Sequence, residues 1–263
     1  MNPRLRIGTT SFIHAAGWLE NARRLADRVD DVELLLFDPS GPGGLPDAAE
    51  LDGLARLARE AELTYTVHAP LDVALGSEDD ARRRASVARV LAAADAMAPL
   101  EPRALVVHLA LGEREGGPPP ADLAAWRRRA VASLEELLAA GVPRETLCLE
   151  SLEYDFALAE PVLDALGLSA ALDVGHLARD GRAFDGLLER NLRRTRVVQL
   201  HGTEPGGRDH RSVRHYPRAD AVRLVRTLAR AGWDGVLTLE VFSEADLEDS
   251  LACLAAIQAE ARA

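Results

Sequence analysis

The sequence predicts an α/β protein folded as a single (β/α)8 TIM barrel, one domain over residues 1–263. Three observations point there. Eight short apolar runs recur along the chain, each bounded by turn residues, as strands buried on both faces should be. Helical stretches rich in Ala, Leu and Arg alternate with those runs, the pattern of a parallel sheet. The length of 263 residues suits one such barrel. The competitor is an open doubly wound sheet, but no glycine-rich dinucleotide fingerprint follows the first strand to support it.

In chain order, strands are expected at 5–11 (LRIGTTS), 32–37 (VELLLF), 64–69 (TYTVHA), 104–109 (ALVVHL), 146–151 (TLCLES), 169–174 (SAALDV), 196–201 (RVVQLH) and 235–241 (GVLTLEV). Helices are expected at 51–63, 82–97, 122–141, 219–233 and 245–261, with Gly141 stopping the third. Two stretches read as loops: DPSGPGGLPD (38–47) after the second strand and GEREGGPPPAD (112–122) after the fourth. In a barrel both fall on the C-terminal face, where active sites are built.

Composition narrows the function classes. A hydrophobic content of 48% can supply a full core. The net charge of -11 repels a phosphate backbone and works against a nucleic-acid partner. All 31 basic residues are Arg, which closes Schiff-base chemistry, since that needs a Lys amine. The 2 cysteines, Cys148 and Cys253, are too few for a disulfide scaffold and form no paired zinc motif. Cys148 sits in an apolar run and reads as a small buried hydrophobe. The N-terminal MNPRLRIGTTSF enters a strand pattern directly, and no apolar stretch nears the ~18 residues that span a bilayer. A cytoplasmic protein with no membrane partner is expected.

The chemistry lies in the polar residues that interrupt the strands. His68, His108 and His201 each end an expected strand, as do Glu150 and Glu240, while Asp173 stands in ALDVGH with His176 three positions on. A charged residue at the end of a buried strand is costly without a partner. A barrel brings all such ends to one mouth, where several carboxylates would repel one another. A divalent cation removes that repulsion and gives the imidazoles a role. Mixed His and carboxylate ligands suit zinc, manganese or iron. Gly175 lets the chain leave strand geometry so that Asp173 and His176 can both face the mouth. His210 lies in the Gly-flanked GGRDHRS, where Arg208 and Arg211 could grip a phosphate with their guanidinium forks. Glu33 can face the barrel interior, and His14, Tyr154 and His215 can line the pocket.

With these residues in place, the sequence resembles the xylose-isomerase-like TIM barrels, which include the endonuclease IV type of apurinic nuclease. The signposts are VHAP (His68), VVHL (His108), LES (Glu150), LDVGH (Asp173, His176), LHGTE (His201) and LEVF (Glu240). The resemblance implies up to three metals. One would be held by His68, His108 and Glu150; a second by Glu150, Asp173, His201 and Glu240; a third by His176 with His210 and Asp209. The isomerase branch keeps the second set alone, so the extra histidines tilt the chain toward the phosphodiesterases. The nuclease pattern separates its Asp and His by one residue, whereas Asp209 and His210 are adjacent here, which leaves open which of them completes the third set.

GTTSFI and RVDDVELLLF are further similar to the cobamide-remodelling phosphodiesterases. That resemblance implies a corrinoid substrate of the vitamin B12 type, hydrolysed at its nucleotide loop to cobinamide and α-ribazole phosphate. Glu150 and Glu240 would be the catalytic carboxylates, and Arg208 or Arg211 would neutralise charge on the phosphate. The alternative is a metal-dependent sugar isomerase or epimerase, in which Glu150 and Glu240 move a proton. Repair of abasic DNA is opposed by the net charge, and a non-catalytic binding protein by the intact ligand set.

Overall fold

The computed structural model describes residues 4–36 and 44–262. Its eight strands are β1 (Arg6–Thr10), β2 (Asp31–Leu35), β3 (Thr64–His68), β4 (Ala104–Val107), β5 (Leu147–Glu150), β6 (Ser169–Asp173), β7 (Thr195–Leu200) and β8 (Val236–Leu239). They close in sequence order, β1 through β8 and back to β1, as a barrel. Every register resolved between neighbours is parallel. This is the expected (β/α)8 TIM barrel, with each expected strand present and shortened or shifted by a residue or two. Phe37, and residues 38–43 of the expected loop, lie outside the described residues.

Helices α1 (Trp18–Leu25), α2 (Ala48–Ala61), α3 (Asp80–Met97), α4 (Leu123–Ala139), α5 (Glu160–Leu166), α6 (Val174–Arg179), α7 (Asp185–Asn191), α8 (Arg218–Arg230) and α9 (Glu244–Arg262) fill the connections. The five long ones are those expected. Gly141 does follow the end of α4, at φ 105, a conformation that needs glycine. The sequence reading missed α1, α5, α6 and α7, which have 8, 7, 6 and 7 residues. Two turns of helix are too short to display a 3.6-residue period. Caps signal some starts: the Asp79 carboxylate accepts from the Ala81 and Arg82 amides and opens α3.

The described residues gather into two compact units. One holds residues up to 33, 57–64 and 172 onward; the other holds 34–56 and 65–171. In the first unit the Thr9 and Thr10 hydroxyls donate to the Leu239 and Val241 carbonyls at 2.9 and 2.7 Å. In the second, Trp126 is fully buried and its indole N–H donates to the Ala110 carbonyl at 3.1 Å. A Cβ on Gly76 would stand 2.3 Å from Trp126 Nε1, so the loop after β3 is built around that indole. The Tyr65 hydroxyl donates to the Leu54 carbonyl at 2.9 Å, so the ring stays buried with its polar tip satisfied.

Candidate metal centre

Strand alternation sets which side chains point inward, and the expected ligands all stand at strand ends. His68, Glu150 and Asp173 are the last residues of β3, β5 and β6; His108, His201 and Glu240 directly follow β4, β7 and β8. Parallel strands in a barrel present these ends at the C-terminal rim. His68, His108, Glu150, Asp173, His201 and Glu240 are all buried.

In the second unit, Glu150 Oε2 lies 3.0 Å from His68 Nε2 and 3.1 Å from His108 Nε2. The two imidazole rings meet edge to face with centroids 5.0 Å apart. The far nitrogen of each ring is also engaged: His68 Nδ1 with the Ala69 carbonyl at 2.9 Å and His108 Nδ1 with Glu115 Oε2 at 2.8 Å. Such outer partners fix ring orientation. Burial, the largest influence on Glu150, works to raise its pKa, but His108 and His68 outweigh it and hold the carboxyl well below its usual range. Burial likewise works against charge on His108, but the carboxylates of Glu150 and Glu115 prevail and raise that pKa to about 10. Without a metal the group is therefore an ion pair.

In the first unit, Asp173 Oδ1 lies 3.4 Å from His201 Nε2, and its Oδ2 lies 2.6 Å from His176 Nδ1. The Asp173 carboxylate also caps α6, accepting from the His176 amide at 2.8 Å. His176 packs against both His201 and His210, with centroids 4.9 and 5.0 Å away. His210 Nδ1 lies 3.6 Å from Glu240 Oε2, and the Phe242 ring covers His210 at 5.1 Å. His210 has φ 52, the left-handed region that non-glycine residues rarely adopt. That turn aims its amide at His201 Nδ1, 3.1 Å away. Burial, then the neighbouring His201 and His176, push the His210 pKa down to about 4. Asp173 sits well below the carboxylate range: His201 and His176 overcome the opposing effect of its burial. Space is tight, because a Cβ on Gly175 would lie 2.4 Å from the His201 ring.

The donor sets fit a divalent ion. His68, His108 and Glu150 offer ligand atoms within 4.8 Å of one another, as do Asp173, His201 and Glu240, and as do His176, His201 and His210. Ligands about 2.1 Å from a common zinc stand roughly 3–4 Å apart, so modest closure suffices. Nitrogen and carboxylate donors together suit zinc, manganese or iron.

Two expected participants stand in ion pairs. The Arg208 guanidinium is 72% exposed and pairs with Glu204 at 2.6 Å. Arg211 pairs with Glu204 at 3.2 Å and with Asp246 at 3.0 Å. Both guanidinium groups thus lie within ion-pair distance of carboxylates. The guanidinium bound into the ligand group is Arg179, donating to Asp209 Oδ2 at 2.7 Å, while that oxygen lies 3.5 Å from His176 Nε2. Asp209 and His210 thus both reach His176 despite their adjacency. Glu33 is fully buried. Tyr154 donates to the Leu109 carbonyl at 2.7 Å, His14 lies 3.8 Å from Glu244 and His215 lies 3.9 Å from Glu204. Glu115 and Arg179 went unforeseen. The available signals were an acidic loop directly after His108 and an Arg one helical turn after His176.

A family model described as the xylose isomerase-like TIM barrel matches residues 20–257. The chain belongs to that family. Its fold is similar to a D-tagatose 3-epimerase-like protein, with TM-score 0.79 and 17% identity over 98% of each chain. It is also similar to an L-ribulose 3-epimerase, with TM-score 0.74 and 20% identity over 98% of this chain and 96% of that one. Endonuclease IV from Thermus thermophilus is similar at TM-score 0.70 and 21% identity, over 97% of this chain and 99% of that one. None of the curated proteins compared matches the chain.

Proposed function

We propose that this family member is a metal-dependent phosphodiesterase that hydrolyses the nucleotide-loop phosphodiester of a cobamide to cobinamide and α-ribazole phosphate. The observation that carries the reading is the His68–His108–Glu150 group, a ligand set additional to Asp173, His201 and Glu240. Moving a proton on a sugar needs one ion, whereas in-line displacement at phosphorus gains from several. His68, His108 and Glu150 would hold one ion, and Asp173, His201 and Glu240 another; His176 with His210 and Asp209 would hold a third. When bound, such ions supply Lewis acidity toward the phosphate oxygens. Glu150, kept well below the carboxylate range by its imidazoles, stays anionic as a ligand. His210, pushed down to about 4, keeps a free lone pair at neutral pH. Phe242, 40% exposed against His210, offers an apolar face to a large substrate. The cobamide itself rests on the resemblance of GTTSFI and RVDDVELLLF. A single phosphodiester is also compatible with the net charge of -11, unlike a nucleic-acid backbone.

The second reading is a metal-dependent sugar isomerase or epimerase. The similar solved structures favour it in number, with a tagatose-epimerase-like protein and a ribulose epimerase beside endonuclease IV. The additional His68–His108–Glu150 group weighs the other way. Metal-loaded protein incubated with adenosylcobalamin should yield adenosylcobinamide, detected by chromatography. Absence of product with zinc, manganese and iron, together with one bound ion per chain and epimerisation of a ketose, would establish the second reading instead.

A further inference from the structure

One layer beneath His201 and Glu240, the barrel carries polar side chains that the proposed chemistry does not use. Gln199 and Thr238 are each two residues before one of those ligands and so share its inward face. They are register partners on β7 and β8. Thr238 is in turn the partner of Gly8, and Gly8 of Asp31, so the row runs across β7, β8, β1 and β2. Gln199, Thr238 and Asp31 are all fully buried. Asp31 accepts a hydrogen bond from the Thr64 hydroxyl at 2.5 Å. The Gln199 amide nitrogen and oxygen and the Thr238 hydroxyl meet no hydrogen-bonding partner among the described residues.

A primary amide offers two donors and an acceptor, and a hydroxyl offers one donor and accepts as well. Leaving all of these unmet inside a protein is rare; ordered water is the usual remedy, and such a water typically holds about three hydrogen bonds. Adjacent strands run about 4.8 Å apart, a span that one water bridges between side chains in register. Gly8 adds no side chain to the row, and a Cβ there would stand 2.8 Å from Val236 Cγ1, so no polar group from β1 reaches Gln199 or Thr238. We propose that a resident water, bonded to Gln199 and Thr238, is built into the barrel as the floor under His201 and Glu240. This holds whichever reaction the rim performs.

Oxygen-17 relaxation dispersion counts long-lived internal waters and tests the proposal on the whole protein. Wild type should hold at least one more such water than the Gln199→Met/Thr238→Val double variant. Each single variant should lower Tm by about 2–4 °C, the shift for one lost interaction in a domain of this size. Equal water counts, or single variants with unchanged or raised Tm, overturn the proposal, because apolar isosteres at a dry site only remove unmet polar atoms. If the variants do not fold, a high-resolution crystal structure of wild type decides alone. A water within hydrogen-bonding distance of both side chains supports the assignment; a metal ion there, or a Gln199 amide satisfied by protein groups, sinks it.

Discussion

Metal binding near neutral pH should expel a proton from His108. That imidazole is buried, 3.1 Å from Glu150 and 2.8 Å from Glu115, and these carboxylates raise its pKa to about 10 against the pull of burial. A ligand imidazole must be neutral at the nitrogen it offers, so an incoming ion has to displace this proton. At pH 7 the displacement spans about three pH units, or ~4 kcal/mol at 1.36 kcal/mol per unit. Apparent affinity should therefore climb about tenfold per pH unit, roughly 100-fold between pH 7 and 9. Calorimetric titration in buffers of differing ionisation enthalpy reads the proton count directly. Close to one proton per chain should appear at pH 8 in wild type and vanish in His108→Asn. Equal release from both proteins, or an affinity that stays flat from pH 7 to 9, would refute the ion-pair description of this group.

Three more outcomes are expected. In EDTA, Tm should peak near pH 6–7. His108, raised to about 10, stabilises fully below its unfolded pKa of about 6.5 and loses that contribution as pH rises through about 10. His210, pushed down to about 4, makes the native state resist protonation, so stability also falls as pH drops from about 6.5 toward 4; a Tm that rises as pH drops over that range contradicts the His210 assignment, and one that rises from about pH 7 toward 10 contradicts that of His108. Glu150→Gln removes the carboxylate shared by His68 and His108 and should cost about 1–3 kcal/mol by denaturant melt. It should also abolish the proton release just described. Gly175→Ala forces a methyl to within 2.4 Å of the His201 ring and should cost about 1–3 kcal/mol by overpacking. Elemental analysis of that variant should show the loss of metal from the Asp173–His201–Glu240 group, and full metal content would show that His201 is not a ligand.

The strands and their terminal polar residues were legible because burial on both faces leaves continuous apolar runs, against which a terminal Glu or His stands out. LCLES locates both β5 and Glu150 in this way. Loop chemistry lacks that contrast. Glu113 and Glu115 look equivalent in sequence, yet Glu115 turns to His108 while Glu113 accepts from the Ser77 hydroxyl and the Glu78 amide. Which carboxylate faces inward depends on loop backbone that no periodicity encodes. The partners of the arginines are hidden for a similar reason. Arg208 sits in a glycine-flanked segment that suggests phosphate binding, and Glu204 four residues earlier pairs with it. Arg179 lies on a six-residue helix too short to be foreseen, and it holds Asp209 beside His176.

The loops after β3 and β4 are fastened to each other and to α4. Glu113 bonds Ser77 and the Glu78 amide, the Arg129 guanidinium donates to the Gly76 carbonyl at 3.0 Å, and Trp126 fills the space beside Gly76. Residues 70–79 and 109–129 consequently behave as one replaceable cassette. Anyone grafting a new specificity onto this scaffold would do better to transplant both segments together, because a length change confined to one would propagate along the other to the pairing of Glu115 with His108.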